Sequence, residues 1–172
     1  LSEPVSLHFE DAPLDQVNKD NFNQLEVAWR FKTDALGPRP EFNFQATPLM
    51  VGGTLYLNTP LSIGAALDAA TGRTKWEYNP RSYESGTTTM SLRWSQRGVA
   101  YWRDGAGADE RIYWGTGDGY LIAVDAKTGR PAAGFGDNGR VDLMEGLPRA
   151  KRGQRDYLNA LTYSVQSPPI IV

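Results

Sequence analysis

Three residues of this chain combine type and position in a way that could do chemistry. Gln45, Arg97 and Gln166 each open an apolar run: Gln45-Ala46-Thr47-Pro48-Leu49-Met50-Val51, Arg97-Gly98-Val99-Ala100-Tyr101 and Gln166-Ser167-Pro168-Pro169-Ile170-Ile171-Val172. Gln45 stands three residues before Pro48, and Gln166 three before Pro169. Arg97 is read as holding the same place in its own run. Amide and guanidinium heads are long, planar and rich in donors, and the arginine fork suits a carboxylate or a phosphate. Brought together, the three would form a planar, donor-rich site. The plainer reading is that polar residues simply begin strands beside a solvated channel.

Other candidates carry less. Gly115-Thr116-Gly117-Asp118-Gly119 has no helix after it, so it reads as a hairpin and not as a nucleotide loop. Gly134-Phe135-Gly136-Asp137-Asn138-Gly139 has a faint calcium-loop look, but lacks the alternating carboxylates and terminal Glu, and reads as a turn. His8 is the single histidine and there is no cysteine, which excludes a His-rich metal site, a thiolate site and a disulfide frame. The basic cluster Arg149, Lys151, Arg152 and Arg155 reads as a solvated loop. The net charge of −2, with both signs interspersed, gives no nucleic-acid surface.

An internal repeat supplies the elements that must position the three residues. Ala66-Leu67-Asp68-Ala69-Ala70-Thr71-Gly72-Arg73 returns 57 residues later as Ala123-Val124-Asp125-Ala126-Lys127-Thr128-Gly129-Arg130. Thr54 to Thr59 matches Arg111 to Thr116 at the same offset, and Trp29-Arg30-Phe31 resembles Trp76-Glu77-Tyr78. The order of matches predicts strands at 46–51, 54–59, 63–68 and 74–78, then 98–102, 111–116 and 120–125, with 140–143 a weak fourth. β-branched and aromatic residues dominate these runs, and a helix is expected only as a short turn around 18–24. Four antiparallel strands per unit describe the blades of a β-propeller.

The expected organisation is an all-β partial propeller over 1–172: a lead at 1–26, an outer strand of the closing blade at 27–33, blade 1 at 45–80, blade 2 at 97–143, and the start of a third blade at 166–172. A closed barrel or sandwich is the alternative, disfavoured by the repeat. Ala66 to Trp76, with its Ala-x-Asp-x-x-Thr-Gly-x-x-x-Trp spacing, reads as structural: Asp68 and Thr71 cap a turn and Trp76 packs between blades. Apolar residues make up 40% of the chain, enough for a core, and no apolar run is long enough to span a membrane. The chain opens without Met or a leader-like segment and closes inside an apolar run, so it is expected to be a piece of a longer protein. Two blades alone leave open faces, and the piece is not expected to be stable in isolation.

These residues resemble the pyrroloquinoline-quinone-dependent (PQQ) dehydrogenases, in the N-terminal part. The resemblance rests on the blade motif, on Val17-Asn18-Lys19-Asp20-Asn21 and Leu25-Glu26-Val27-Ala28-Trp29, on Gln45-Ala46-Thr47-Pro48-Leu49, on Arg97-Gly98-Val99-Ala100-Tyr101-Trp102, and on Phe135-Gly136-Asp137-Asn138-Gly139. It implies an N-terminal fragment of an eight-bladed β-propeller, most similar to the glucose-dehydrogenase-like branch. It further implies that Gln45, Arg97 and Gln166 contact the quinone. Arg97 matches the family arginine, whereas Gln45 replaces a Glu and Gln166 a Thr. The alcohol branch stacks a vicinal disulfide on the quinone just before that arginine; Met90-Ser91-Leu92-Arg93-Trp94 cannot form one. In the membrane glucose branch a His stacks there, and Arg93 falls at that place.

The implied activity is oxidation of a glucose-like aldose or an alcohol. Ca²⁺ acts as Lewis acid, an Asp takes the hydroxyl proton, and hydride passes to the quinone. The Asp and the calcium ligands are expected beyond residue 172, so no catalytic or metal residue is assigned and the piece alone is expected to be inactive. The resemblance also implies a quinone or cytochrome acceptor, the rest of the propeller chain as a partner, and a periplasmic location with any membrane anchor outside these residues. The competing expectation is a non-catalytic propeller scaffold of the bacterial cell envelope.

Overall fold

The computed structural model describes residues 16–33, 36, 44–85, 95–146 and 165–171. Within them lie two four-stranded antiparallel sheets. The first joins β1 (Leu49–Val51), β2 (Thr54–Asn58), β3 (Gly64–Asp68) and β4 (Thr74–Tyr78) in chain order. The second joins β5 (Ala100–Arg103), β6 (Glu110–Gly115), β7 (Tyr120–Asp125) and β8 (Arg140–Asp142) in the same way. Thr54 pairs with Asp68, and Arg111 with Asp125. The 57-residue sequence repeat is therefore a repeat of strand register.

Local chemistry explains the turns. Gly52 and Gly53, at φ +54° and +72°, give β1–β2 the two left-handed positions of a tight hairpin. After β3, Asp68 Oδ1 accepts from the Thr71 amide at 2.9 Å and its hydroxyl at 2.8 Å. After β7, Asp125 Oδ1 does the same for Thr128, at 2.7 and 2.6 Å. Each capped turn ends on a glycine in the left-handed region, Gly72 and Gly129.

Alternation along the strands builds two cores. Tyr56 and Ala66 point to one face of blade 1, where they join Trp76, Ile112, Trp114, Ile122 and Val124 in a buried layer between the blades. Leu57, Ala65 and Leu67 point to the other face, against Leu61, Ile63, Trp29 and Phe31. Trp114 is wholly buried in the first layer and donates its Nε1–H to Ser62 O at 2.8 Å. Gly64 lies under its ring, where a Cβ would come within 2.7 Å.

One tryptophan contact occurs twice. Trp76 of β4 lays its ring over Gly129 and donates to Ala126 O at 2.8 Å. Trp29 lays its ring over Gly72 and donates to Ala69 O at 3.0 Å. Ala69 and Ala126 are equivalent in the repeat, so Trp29 stands to blade 1 as Trp76 stands to blade 2. The stretch 27–32 thus runs where an outer strand of a preceding blade belongs. It is not a strand here, because no neighbouring chain among the described residues offers it a ladder. Upstream, the expected short turn is a 3-10 helix at Phe22–Gln24.

The weak fourth strand of the second unit is real but displaced. Leu67 pairs with Thr74, and its equivalent Val124 bridges Pro131, so the offset of 57 still holds there. Gly64 pairs with Tyr78, whereas its equivalent Leu121 pairs with Val141, an offset of 63. Six residues are therefore inserted between Pro131 and Arg140. The loop carries Phe135, which meets Tyr113 edge-on at 5.4 Å. By the same register Gly139 takes the place of Trp76, so β8 lacks the docking indole.

A candidate cofactor-recognition edge

β1 and β5 are the first strands of their sheets, and their lead-in segments meet. Thr47 and Gly98 form a parallel bridge, and the Thr47 amide donates to Arg97 O at 3.2 Å. The Arg97 amide in turn donates to Gln166 O at 2.8 Å. Main-chain bonds thus string together Thr47 of the β1 lead-in, Arg97 of the β5 lead-in and Gln166 of the 165–171 segment, which forms no strand among the described residues. Gly98 permits the approach: its φ is +136°, and a Cβ there would lie 2.9 Å from Thr47 O.

The ladders refine the alignment of these segments. Leu49 pairs with Tyr56, and Ala100 with Tyr113. Tyr56 and Tyr113 are repeat equivalents, so Leu49 matches Ala100 and Gln45 matches Gln96. The sequence pattern alone sets Arg97 at the level of Gln45; the structure places Arg97 one residue further along. In extended chain one residue reverses the direction of the side chain. The reversal accounts for Gln96 buried beside Arg97 exposed; Gln45, although level with Gln96, is exposed, and Gln166 is half-buried.

Beneath this edge lies a polar layer that sequence reasoning missed. Ser95 Oγ donates to Gln45 Oε1 at 2.9 Å. Gln96 Nε2 donates to Val165 O at 3.3 Å and, more weakly, to Ser62 Oγ at 3.5 Å; Gln96 Oε1 accepts from Asn58 Nδ2 at 3.5 Å. Ser62 Oγ also accepts from the Gly117 amide at 3.1 Å. Ser62 holds φ +66° although it is not glycine, and the bonds to its side chain and carbonyl secure that conformation. Ser95 and Gln96 are polar neighbours of a strand start, and nothing in their types announces burial.

Arg93, Met90, the basic cluster at 149–155 and His8 lie outside the described residues. Among the described residues, no group of three or more His, Cys, Asp or Glu could hold a metal ion, and no helix is long and apolar enough to cross a membrane. One groove adjoins the edge at Phe44 and Pro48, and another lies on blade 2. The first, of about 500 Å³, runs along the apolar face of blade 1 between Trp29, Phe31, Leu55 and Leu67. The other, about 370 Å³, is lined by Asp109, Arg111, Asp125 and Arg130 of blade 2. In it Arg111 is already paired with Asp109, at 2.9 and 3.0 Å from Nε. The first groove is mainly apolar and the second has its charge neutralised, so the edge at Gln45, Arg97 and Gln166 is the better place for an acidic ligand.

The donor set of that edge, one guanidinium and two amides, fits a planar ligand bearing carboxylates and carbonyl oxygens. Comparison with known proteins gives the family. The family model for the β-propeller domain of PQQ glucose/ethanol/alcohol dehydrogenases matches residues 8–172. The chain is 36% identical over 172 residues to the quinoprotein glucose dehydrogenase of Escherichia coli (strain K12), covering 93% of this chain and 20% of that protein. It is 35% identical over 152 residues to the dehydrogenase subunit of the quinone alcohol dehydrogenase of Gluconacetobacter polyoxogenes, covering 83% and 19%. The crystal structure of quinohemoprotein alcohol dehydrogenase from Comamonas testosteroni superposes with a TM-score of 0.58 at 28% identity, over 81% of this chain and 18% of that one. The chain thus spans about a fifth of the length of the curated relatives it matches. With this repeat, this blade register and these matches, the chain belongs to the PQQ-dependent glucose/ethanol/alcohol dehydrogenase β-propeller family.

Proposed function

We propose that this chain forms the cofactor-recognition edge of a dehydrogenase that oxidises a glucose-like aldose or an alcohol with pyrroloquinoline quinone. The observation that carries the proposal is the main-chain string from Thr47 through Arg97 to Gln166, which with the Ser95–Gln45 bond holds Gln45, Arg97 and Gln166 at one edge. Arg97 would clamp a carboxylate of the quinone, with Gln45 and Gln166 bonding its other oxygens. Arg93 would stack on the ring. When bound, the quinone supplies the hydride acceptor, and Ca²⁺ held by residues outside this segment supplies Lewis acidity. The residues here bind and orient; the proton-accepting carboxylate belongs to another part of the protein.

The lack of cysteine supports the sugar side of the family, since the vicinal disulfide of the alcohol branch cannot form. The reading carries with it a periplasmic location and a quinone or cytochrome as electron acceptor. The test uses the full-length protein with added quinone and Ca²⁺, and follows dye reduction with glucose and with ethanol. Substrate-dependent reduction that requires the quinone is expected. No quinone binding, together with no reduction by any aldose or alcohol, would leave a scaffold role as the better reading.

A further inference from the structure

The tripeptide Ser95-Gln96-Arg97, in the lead-in of β5, bonds the lead-in of β1, the β2–β3 turn and the 165–171 segment at once. Ser95 bonds the Gln45 side chain, Gln96 reaches Val165 O and Ser62, and the Arg97 main chain bonds both Thr47 and Gln166. Ser95 and Gln96 are each only 1% exposed. Gln96 stands at the level of Gln45 by ladder register, and Gln166 shares the Gln-x-x-Pro pattern of Gln45. Of three glutamines at one level, two lie at the accessible edge and the middle one is turned inward. A buried amide is tolerated when its hydrogen bonds are met, and the Gln96 amide meets them only with Val165 seated beside Asn58 and Ser62 of the β2–β3 hairpin.

We propose that Ser95 and Gln96 are positioning residues for the recognition edge: Ser95 sets the direction of the Gln45 amide, and Gln96 ties the segment that carries Val165 and Gln166 to the β2–β3 hairpin, so that Arg97 and Gln166 face the same ligand. Neither touches the ligand. The inference rests on the proposed function for what the edge binds, but the interlock itself is a property of the protein without cofactor.

The mechanics are specific. Gly115 presses on Val165, where a Cβ would come within 2.1 Å of Cγ1, so Val165 is seated on blade 2 by contact as well as by the Gln96 bond. Val165 adjoins Gln166, whose carbonyl accepts from Arg97. Loss of the Gln96 amide releases Val165 O, and the adjacent Arg97–Gln166 bond opens more often. Loss of the Ser95 hydroxyl lets the Gln45 amide turn.

The experiment uses the full-length protein in two arms. In the absence of quinone, amide exchange is followed at Arg97 in wild type and Gln96→Leu, with a peptide from the β6–β7 hairpin as internal reference. Faster exchange at Arg97, with the hairpin unchanged, is expected; equal exchange at Arg97 overturns the role of Gln96. In the second arm quinone affinity is measured for Ser95→Ala, Gln45→Ala and the double variant. Ser95→Ala alone should weaken binding about three- to tenfold, the worth of one hydrogen bond, and should add nothing once Gln45 is alanine. An additive double variant would mean that Ser95 acts structurally and not through Gln45, and overturns its role. If wild type fails to bind quinone, the proposed ligand falls and the positioning claim for Ser95 falls with it, while the exchange arm still decides the interlock.

Discussion

Replacing Gly98 with alanine tests the geometry on which the recognition edge depends. Gly98 has φ +136°, outside the left-handed helical well that Asn or Asp can use, and a Cβ added there would sit 2.9 Å from Thr47 O. Two costs follow. Holding a non-glycine residue in that backbone region costs about 1–3 kcal/mol. The contact is with backbone oxygen, so no side-chain rotation relieves it and the two lead-ins must separate. Separation weakens the Thr47–Arg97 main-chain bond, worth about 0.5–1.5 kcal/mol. The expected total is about 2–4 kcal/mol. Gly107→Ala is the control: its φ is +70° and nothing lies within 4 Å, so only the backbone term of about 1 kcal/mol applies. The assay is denaturant unfolding of the full-length protein, paired with quinone titration. Gly98→Ala should lower stability more than Gly107→Ala and should alone weaken quinone binding, by tenfold or more. Equal effects of the two substitutions on both readouts would refute the claim that close approach at Gly98 builds the edge.

The blade contacts and turns give further expectations. Trp76→Phe keeps an aromatic ring but loses the pyrrole part of the indole with its 2.8 Å bond to Ala126 O, and should cost at least about 1 kcal/mol in unfolding stability. Trp76→Ala should cost about 3–5 kcal/mol, because it also opens a cavity between the blades. In acid, the Thr71 hydroxyl and amide bonded to Asp68 hold its carboxyl below the ordinary range, and Lys127 followed by Tyr101 does the same for Glu110. Because these folded-state values are depressed, the stability they confer is present above the unfolded carboxylate range and is lost as pH falls through the lowered values. Unfolding midpoints of Asp68→Asn and Glu110→Gln should therefore converge on wild type at low pH and fall short of it at neutral pH; a constant gap across the range would contradict the assignment.

Much of the fold was legible because it is repeated. The turn from Asp68 to Gly72 and its copy from Asp125 to Gly129 carry their own capping chemistry, so residue type and local structure agree. Trp29 and Trp76 could be matched because docking on the turn glycine requires an indole. The repeat stopped being legible at Pro131, where a six-residue insertion changes the offset and Gly139 replaces the docking tryptophan. The candidate site was half legible. Gln45, Arg97 and Gln166 stand out as polar residues at strand starts, but a one-residue difference in register cannot be read without the ladder. Ser95, Gln96, Asn58 and Ser62 were invisible for another reason: a polar residue in a loop or at a strand end is ordinarily solvated, and only the approach of the two sheets and the 165–171 segment buries these.

Quinone titration of full-length wild type beside Arg97→Ala and Arg103→Ala bears hardest on this account. Arg97 is exposed at the edge, in the lead-in of β5, whereas Arg103, also exposed, closes β5 at its far end. The loss of a charge-assisted bond to a carboxylate predicts that Arg97→Ala binds about 10- to 150-fold more weakly, with Arg103→Ala unchanged. Wild-type affinity in Arg97→Ala, or an equal loss in both variants, would contradict the placement of the carboxylate clamp at this edge.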